Sequence, residues 1–299
     1  MKKVTIFGVG NLGSRIAFFL ARSRDISRIR LVDIDPKRTK ATVVDFLESN
    51  VALRSKIMFV DYDEPKEIDQ SDVVIVAAGV GQPAQPEVTL PGAADLRRME
   101  EIAAHIGHFA PQAMVAVLSQ PTELFCSVIA RSGYLSPERV FGFPLLIYRE
   151  WFRDRISRIV GLGSQDIRIS TVRTLQGEEL VPSQCAVSGI PLSVLVDNPS
   201  TIPVLPDVEV MKKRLKHHNY APAAVVSEVT SEIVGKRRQL ITAVCPDSQT
   251  GAFLESKAVF GPDGLERVLP LDLTDDQRRR HDEYRSRVVS LTEQLAQTQ

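Results

Sequence analysis

Short runs of apolar residues recur through the first half of the chain. They cover residues 4–7, 29–32, 73–78 and 114–118. The last two runs are apolar without interruption, and the first two each contain one polar residue, Thr5 or Arg30. Short, nearly continuous apolar runs are typical of strands buried on both faces of a parallel sheet. Between them, apolar positions recur every three or four residues and predict helices over 11–23, 96–109 and 123–132. This alternation predicts a doubly wound α/β sheet.

The second half of the chain mixes the two kinds of pattern. Helices are predicted over 148–160 and 222–236, and a last helix over 274–297 begins with Thr274 as its N-cap. Strand-like segments lie near 167–174, 181–187, 240–244 and 252–260, with a proline-rich stretch over 191–206. We therefore expect two domains, a parallel-sheet domain over residues 1–144 and an α+β domain over residues 145–299.

A glycine motif links the first predicted strand to the first predicted helix. It reads GxGxxG over residues 8–13, and Asp33 ends the second predicted strand twenty residues after Gly13. In a Rossmann-type unit the glycines allow a tight turn, close approach of a diphosphate and close helix packing. A carboxylate at this spacing accepts hydrogen bonds from the adenosine ribose and repels a 2′-phosphate. The motif therefore predicts NAD as the cofactor. Lys37 and Arg38 follow closely and could contact a phosphate, but we expect them on a solvated loop after Pro36.

Composition narrows the range of partners. The 299 residues contain 37 Lys and Arg and 37 Asp and Glu, a balance that argues against nucleic-acid or anionic membrane surfaces. No apolar run reaches the ~18 residues that a membrane span needs, and no signal-peptide pattern is present. The three cysteines lack metal-site spacing and are expected to be buried thiols. We expect a cytoplasmic protein without a metal site and with a small-molecule substrate.

Further segments of the chain carry a family resemblance. They are DVVIVAAGV at 72–80, SQP at 119–121, RVFG at 139–142 and NYAPAA at 219–224. With the glycine motif, they resemble the lactate/malate dehydrogenase family over nearly all of the chain. The resemblance implies a Rossmann domain followed by a substrate domain, and a homodimer or homotetramer. It implies that NAD contacts Gly8, Gly10, Asn11, Leu12, Gly13, Asp33, Ala78, Gly79 and Ser119.

The family's catalytic residues are mostly replaced in this chain. That family transfers hydride between a 2-hydroxy acid and nicotinamide, with a histidine and an aspartate as the proton relay. The resemblance places Gln176 at the histidine, Leu146 at the aspartate and Gln120 at an active-site asparagine. The region of the mobile loop, about 81–95, lacks the family's arginine, and Arg97 and Arg98 after it are expected on the surface. Since an amide does not exchange a proton at neutral pH, ordinary lactate or malate dehydrogenase activity is not expected.

Three residues remain as candidates for the substrate site. Arg149 stands at the position of the arginine that grips the substrate carboxylate, and its partner is either that carboxylate or an acid such as Glu150 or Glu178. His217 and His218 precede the 219–224 segment. They are either an acid/base group on another wall of the pocket or a solvated pair.

Three more histidines, His105, His108 and His281, are expected on the surface.

Two functions follow from these observations. The first is an NAD-dependent oxidoreductase that acts on a CH–OH group of a small, possibly carboxylate, substrate with non-standard catalytic residues. The alternative is an inactive NAD-binding paralogue that serves as a sensor, scaffold or oligomer partner. A different NAD-using reaction on the same fold, such as transient oxidation followed by elimination or epimerisation, also stays open.

Overall fold

The computed structural model describes residues 2–61, 68, 70–79, 87–143, 147–196, 202 and 219–298. In the first half, strands and helices alternate. The strands are β1 (Lys2–Phe7), β2 (Ile26–Val32), β3 (Met58–Val60), β4 (Val73–Val76), β5 (Met114–Val117) and β6 (Val140–Gly142). The helices are α1 (Asn11–Leu20), α2 (Pro36–Leu53), α3 (Ala93–Phe109) and α4 (Thr122–Arg131).

The second half contains strands and helices of very different lengths. Its strands are β7 (Ile167–Arg168), β8 (Thr171–Thr174), β9 (Gly177–Leu180), β10 (Ala186–Val187), β11 (Ile190–Pro191), β12 (Gln239–Pro246), β13 (Phe253–Gly261) and β14 (Gly264–Leu269). Its helices are α5 (Ile147–Val160), α6 (Leu192–Leu195), α7 (Tyr220–Val234) and α8 (Asp275–Thr298).

One nine-stranded sheet forms the centre of the molecule, in the order β14-β13-β12-β6-β5-β4-β1-β2-β3. Strands β1 to β6 pair in parallel, and β12, β13 and β14 pair antiparallel. Every residue of β4 and β5 is buried, as their uninterrupted apolar sequences predict. The predicted α/β fold with a doubly wound parallel sheet is confirmed. The chain order reverses between β1 and β4, which is where such sheets bind nucleotides.

The strands β12 and β13 extend the first sheet. They fall within the predicted α+β domain, yet β12 pairs with β6, and side chains of both pack into the cores on the two faces of the nine-stranded sheet. A separate core lies within residues 148–202 and is built from residues such as Phe152, Leu180 and Leu192. The division of the chain after residue 144 stays a prediction.

The sequence pattern did not predict helix α2, and Lys37 and Arg38 were expected on a loop. Asp35 caps this helix, because its carboxylate accepts hydrogen bonds from the backbone N–H groups of Lys37 and Arg38 at 3.1 and 3.2 Å. Pro36 occupies its first turn, where a missing N–H costs nothing. The expectation was wrong because the buried face of α2 is narrow and gives a weak apolar periodicity.

Candidate functional site

The turn after β1 brings three backbone segments into close contact. Gly8 has φ +96°, and a Cβ there would lie 2.6 Å from the carbonyl of Ala77 at the end of β4. A Cβ on Gly13 would lie 1.9 Å from the carbonyl oxygen of Gly8. Only glycine therefore fits at both positions, and the N-terminus of α1 is held against the carboxyl ends of β1 and β4.

The middle glycine of the motif has a different environment. Gly10 is the N-cap of α1 with φ −80°, and no heavy atom of the described residues lies within 4 Å of a Cβ built on it. No side chain caps this helix end, and its first turn contains no acidic residue. Backbone N–H groups at a helix N-terminus that faces open space are suited to bind a diphosphate.

Asp33 is fixed beside this turn by backbone hydrogen bonds. The Val9 N–H donates to Asp33 Oδ2 at 2.6 Å, and the Asp35 N–H donates to Oδ1 at 3.1 Å. Each carboxylate oxygen has a second acceptor position, so the pair can still accept hydrogen bonds from two ribose hydroxyls. The Arg38 guanidinium lies 4.0 Å from Oδ1.

A cavity of about 410 Å³ connects these features, a size within the range of small-molecule sites. Its lining includes Gly8, Gly10, Asp33, Ala78 and Gly79. The other predicted cofactor residues adjoin it. Asn11, Leu12 and Gly13 form the first turn of α1, and the hydroxyl of Ser119 donates to the Ala78 carbonyl at 2.5 Å. These residues fit NAD, although their individual contacts with it stay predictions.

Two residues expected on the surface also line this cavity. Arg98 forms an ion pair with Asp95 at 3.6 Å, and His105 packs edge-on against the ring of Phe7. The expectation failed because both residues lie on the face of α3 that turns toward the cavity wall, whereas Arg97 is exposed as expected.

Among the described residues, those that the resemblance places at the family's catalytic positions do not form a proton relay. Gln176 is exposed in the turn between β8 and β9, where its backbone N–H donates to the Thr174 hydroxyl at 3.2 Å. Gln120 is half-buried and precedes Pro121 in a cis peptide. Leu146, His217 and His218 lie outside the described residues, so their roles stay predictions.

Arg149 forms an internal ion pair. Its Nη2 lies 3.8 Å from Glu178 Oε1, and its side chain is 21% exposed whereas that of Glu178 is 1% exposed. Glu150, the other acid considered from the sequence, pairs with Arg153 at 3.1 Å. Of the two acids, the structure pairs Arg149 with Glu178, and a substrate carboxylate as its partner stays a prediction.

Glu178 belongs to a buried cluster of charged and aromatic side chains that the sequence does not reveal. The Tyr284 hydroxyl donates to Glu123 Oε1 at 2.9 Å, and Arg173 Nε lies 3.9 Å from the same oxygen. Glu255 is also buried in this cluster, and its backbone N–H donates to the Tyr284 hydroxyl at 3.4 Å. Two arginines and three glutamates therefore meet between α4, α5, β8, β9, β13 and α8.

Burial changes the acid–base properties of this cluster. Loss of solvation raises the pKa of Glu255 well above its usual value, and the neighbouring Glu178 carboxyl raises it further. Loss of solvation also raises the pKa of Glu178, although Arg149 opposes this shift. Glu178 and Glu255 therefore hold protons more tightly than solvent-exposed glutamates do.

His281, expected on the surface, is buried beside the cluster. Its Nδ1 lies 2.9 Å from the Arg173 carbonyl oxygen, and burial lowers its pKa. The error has a simple cause, since the polar neighbours of His281 on α8 face solvent while His281 itself faces β8.

Comparison with known proteins agrees with this geometry. Residues 2–142 match the family model for the NAD-binding domain of lactate/malate dehydrogenases. The malate dehydrogenase of Symbiobacterium thermophilum is 25% identical over 309 aligned residues, which cover 98% of this chain and 97% of that protein. Residues 2–142 thus belong to the NAD-binding domain of the lactate/malate dehydrogenase family, and the chain is similar to a malate dehydrogenase along nearly its whole length. As in that family's first domain, the cofactor is NAD.

Solved structures of the family share the fold. The malate dehydrogenase of Cryptosporidium parvum superposes with a TM-score of 0.83 at 21% identity, covering 99% of each chain. The lactate dehydrogenase of Cryptosporidium parvum, solved with lactic acid and NAD, gives a TM-score of 0.83 at 19% identity, covering 99% of this chain and 98% of that one. These two similarities extend the fold assignment beyond residue 142.

The described residues show neither a metal site nor a membrane-spanning helix. Within them, no three His, Cys, Asp or Glu side chains are grouped as a metal site requires. None of the described helices combines the length and apolar character needed to cross a membrane. All three cysteines are buried free thiols, as the sequence indicates.

Two alanine substitutions separate ligand binding from packing in the glycine motif. Gly10→Ala places a methyl group in open space, so we expect unchanged thermal stability but NAD binding weakened by at least about tenfold. Gly13→Ala forces the Gly8 carbonyl and α1 apart, so we expect a large loss of stability. Calorimetry with NAD and thermal melts measure the two effects. Full NAD affinity in Gly10→Ala would contradict the placement of the diphosphate.

The Asp33 carboxylate has a structural and a selective role. In Asp33→Asn an amide N–H₂ faces one of the two backbone donors. We therefore expect the free energy of unfolding to fall by about 1–3 kcal/mol. Loss of the negative charge should weaken NAD binding and raise the affinity for NADP relative to NAD. Denaturant melts and calorimetry test this, with the exposed Asp45→Asn on α2 as the control. An unchanged cofactor preference would show that Asp33 does not face the ribose.

Proposed function

We propose that this protein is an NAD-dependent oxidoreductase that acts on a CH–OH group of a small molecule. The cofactor cavity supports this proposal most directly, because open space at Gly10, the amides of α1 and the fixed carboxylate of Asp33 converge there. NAD held by these residues would supply the acceptor for the hydride on the carbon that bears the hydroxyl group.

The chain must then accept the hydroxyl proton. Gln176 cannot do so, since its amide neither gains nor loses a proton near neutral pH. The proposed acceptors are His217 and His218, which precede α7 in the sequence and are separated from it by Asn219. A histidine there would lie on a different wall of the substrate pocket from the family's histidine–aspartate proton relay.

A second candidate function is that of an inactive NAD-binding paralogue. Two observations favour it. The resemblance places Gln120 and Gln176 at the family's asparagine and histidine, and Arg149, the one substrate residue that the resemblance retains, pairs with Glu178 inside the protein. Such a protein would bind NAD and respond to it without turnover, as a sensor, scaffold or oligomer partner.

Histidine substitution distinguishes these two functions. If the protein is an enzyme, nicotinamide absorbance changes with some member of a panel of 2-hydroxy acids, 3-hydroxy acids and neutral hydroxy compounds. His218→Ala, His217→Ala or the double variant should then lose about 10²-fold or more in turnover while calorimetry shows intact NAD binding. The control is His108→Ala, an exposed residue of α3. NAD binding without any turnover across the panel would support the inactive paralogue.

We further propose that the protein forms a homodimer or homotetramer. Val44, Leu47 and Val51 follow one face of α2 at intervals of three and four residues, and all are exposed, Val51 at 82%. Phe18 of α1 is exposed next to them and contacts Phe46. A contiguous apolar face of this kind marks a contact surface.

Light scattering tests the oligomer directly. The wild-type protein should have at least twice the mass of one chain at micromolar concentration. Val51→Glu places a charge on the apolar face and should shift the mass toward the monomer, whereas Leu240→Glu, exposed on β12, should not. A monomeric wild-type protein would refute the proposal.

A further inference from the structure

Arg38 is a positive charge on the wall of the cofactor cavity. The sequence allowed it to contact a phosphate or to lie on a solvated loop, and the structure instead places it in the first turn of α2. It lines the same cavity as Gly10 and Asp33. Its neighbour Lys37 is exposed and is not part of the described lining of that cavity. Of these two basic residues, Arg38 is therefore the one placed to meet a bound nucleotide.

The Arg38 guanidinium is held only loosely in the protein. Its Nη1 lies 4.0 Å from Asp33 Oδ1, and its Nε lies 3.8 Å from Asp35 Oδ2. Both distances are too long for hydrogen bonds. In the described part of the chain, the hydrogen bonds of Arg38 come from its backbone N–H and carbonyl groups, and its side chain is 54% exposed. The guanidinium can therefore turn toward a ligand without breaking a hydrogen bond.

The two carboxylates near Arg38 are fixed by the backbone and not by the guanidinium. Asp33 accepts hydrogen bonds from the N–H groups of Val9 and Asp35 at 2.6 and 3.1 Å. Asp35 in turn accepts from the N–H groups of Lys37 and Arg38 at 3.1 and 3.2 Å. Because exposed ion pairs contribute little to stability, neither acid loses its position when the Arg38 side chain turns away.

The position of Asp33 determines where a phosphate on the adenosine ribose would lie. In a Rossmann-type unit this carboxylate binds the ribose hydroxyls, and in NADP a phosphate replaces the 2′-hydroxyl. That phosphate would lie beside the Asp33 carboxylate, and the Arg38 guanidinium is 4.0 Å from the nearer oxygen of this carboxylate. An arginine binds phosphate with two parallel hydrogen bonds, and an arginine near this position accommodates the 2′-phosphate in NADP-binding units.

The other charges of the cavity predict a preference for NAD over NADP. The lining contains three carboxylates and two guanidinium groups, namely Asp33, Asp35, Glu101, Arg38 and Arg98. Arg98 has a carboxylate partner of its own at 3.6 Å. The acids therefore repel an added phosphate, and Arg38, as the guanidinium nearest to Asp33, offsets part of that repulsion.

We propose that Arg38 forms a binding site for the 2′-phosphate of NADP, so that this protein binds NADP as a second, weaker cofactor beside NAD. The guanidinium turns from the two carboxylates to the phosphate, which occupies the position of a ribose hydroxyl at Asp33. The inference rests on the proposed function, because it concerns the cofactor of the same cavity. Arg38 affects the choice of cofactor and does not touch the reacting atoms.

Calorimetry with two cofactors and two nucleotide fragments tests this site. The fragments are adenosine 5′-monophosphate and adenosine 2′,5′-bisphosphate, which differ only in the 2′-phosphate. The wild-type protein should bind NADP saturably at millimolar concentration, more weakly than NAD. Arg38→Met should bind NADP and the bisphosphate at least about tenfold more weakly, while its affinities for NAD and the monophosphate change by less than about twofold. The control Lys37→Met should behave as wild type.

A double-variant comparison isolates the contribution of Arg38. Asp33→Asn removes the negative charge next to the phosphate, so it should raise the affinity for NADP relative to NAD. If Arg38 binds the phosphate, adding Arg38→Met to Asp33→Asn should remove most of this gain, whereas adding Lys37→Met should leave it unchanged. Equal gains in all three backgrounds would show that the phosphate does not contact Arg38.

The single variant is decisive even if Asp33→Asn does not fold. Arg38 is half-exposed, and thermal melts without ligand verify that Arg38→Met is folded. The inference is overturned if the wild-type protein does not bind NADP, or if Arg38→Met weakens NADP and NAD binding equally or not at all. A loss specific to NADP in Arg98→Met, with none in Arg38→Met, would place the phosphate at α3 and overturn it as well.

The same measurements separate this inference from the proposed function. Failure of the wild-type protein to bind NAD would refute the proposed function. Normal NAD binding together with NADP binding that does not depend on Arg38 refutes only the phosphate site.

Discussion

The close approach of backbone segments at the first turn of the chain is the constraint on which the cofactor site depends. Gly8 leaves β1 against the end of β4, and Gly13 lets α1 pack onto the turn itself. Because no side chains separate these segments, the first amides of α1 and the carboxylate of Asp33 reach the same cavity. The position of the site thus follows from steric limits where the turn after β1 meets the end of β4.

Such local constraints explain what the sequence could predict. An uninterrupted apolar run is enough to identify β4 or β5, and the spacing from the glycines to Asp33 is enough to predict the cofactor. Sheet membership of β12 and β13 was not accessible in this way, because it depends on which edge β6 leaves open after folding. The helix α2 was missed for another reason, since it buries few residues and its end signals, Asp35 and Pro36, also occur in turns.

The buried charge cluster could not have been predicted, because its members are scattered over more than 130 residues. Glu123 sits among apolar residues in α4, while Tyr284 lies on a helix rich in exposed charges. Nothing near either residue in the sequence indicates that one hydrogen-bonds to the other at 2.9 Å. His281 was misassigned for the same reason, because a long polar helix conceals which of its residues face inward. Only the packing of α8 against α4 and β8 defines the cluster.

The three glycines of the motif do not argue equally for a ligand. Gly8 and Gly13 are required by packing, so a protein with this fold and no cofactor would need them as well. Gly10 has a φ that any residue adopts and faces open space, so packing gives no reason for glycine at that position. The reason is instead a partner that approaches the backbone closely, and a diphosphate at the N-terminus of α1 is such a partner. The absence of a side chain at Gly10 is therefore stronger structural evidence for a bound nucleotide than the full GxGxxG pattern.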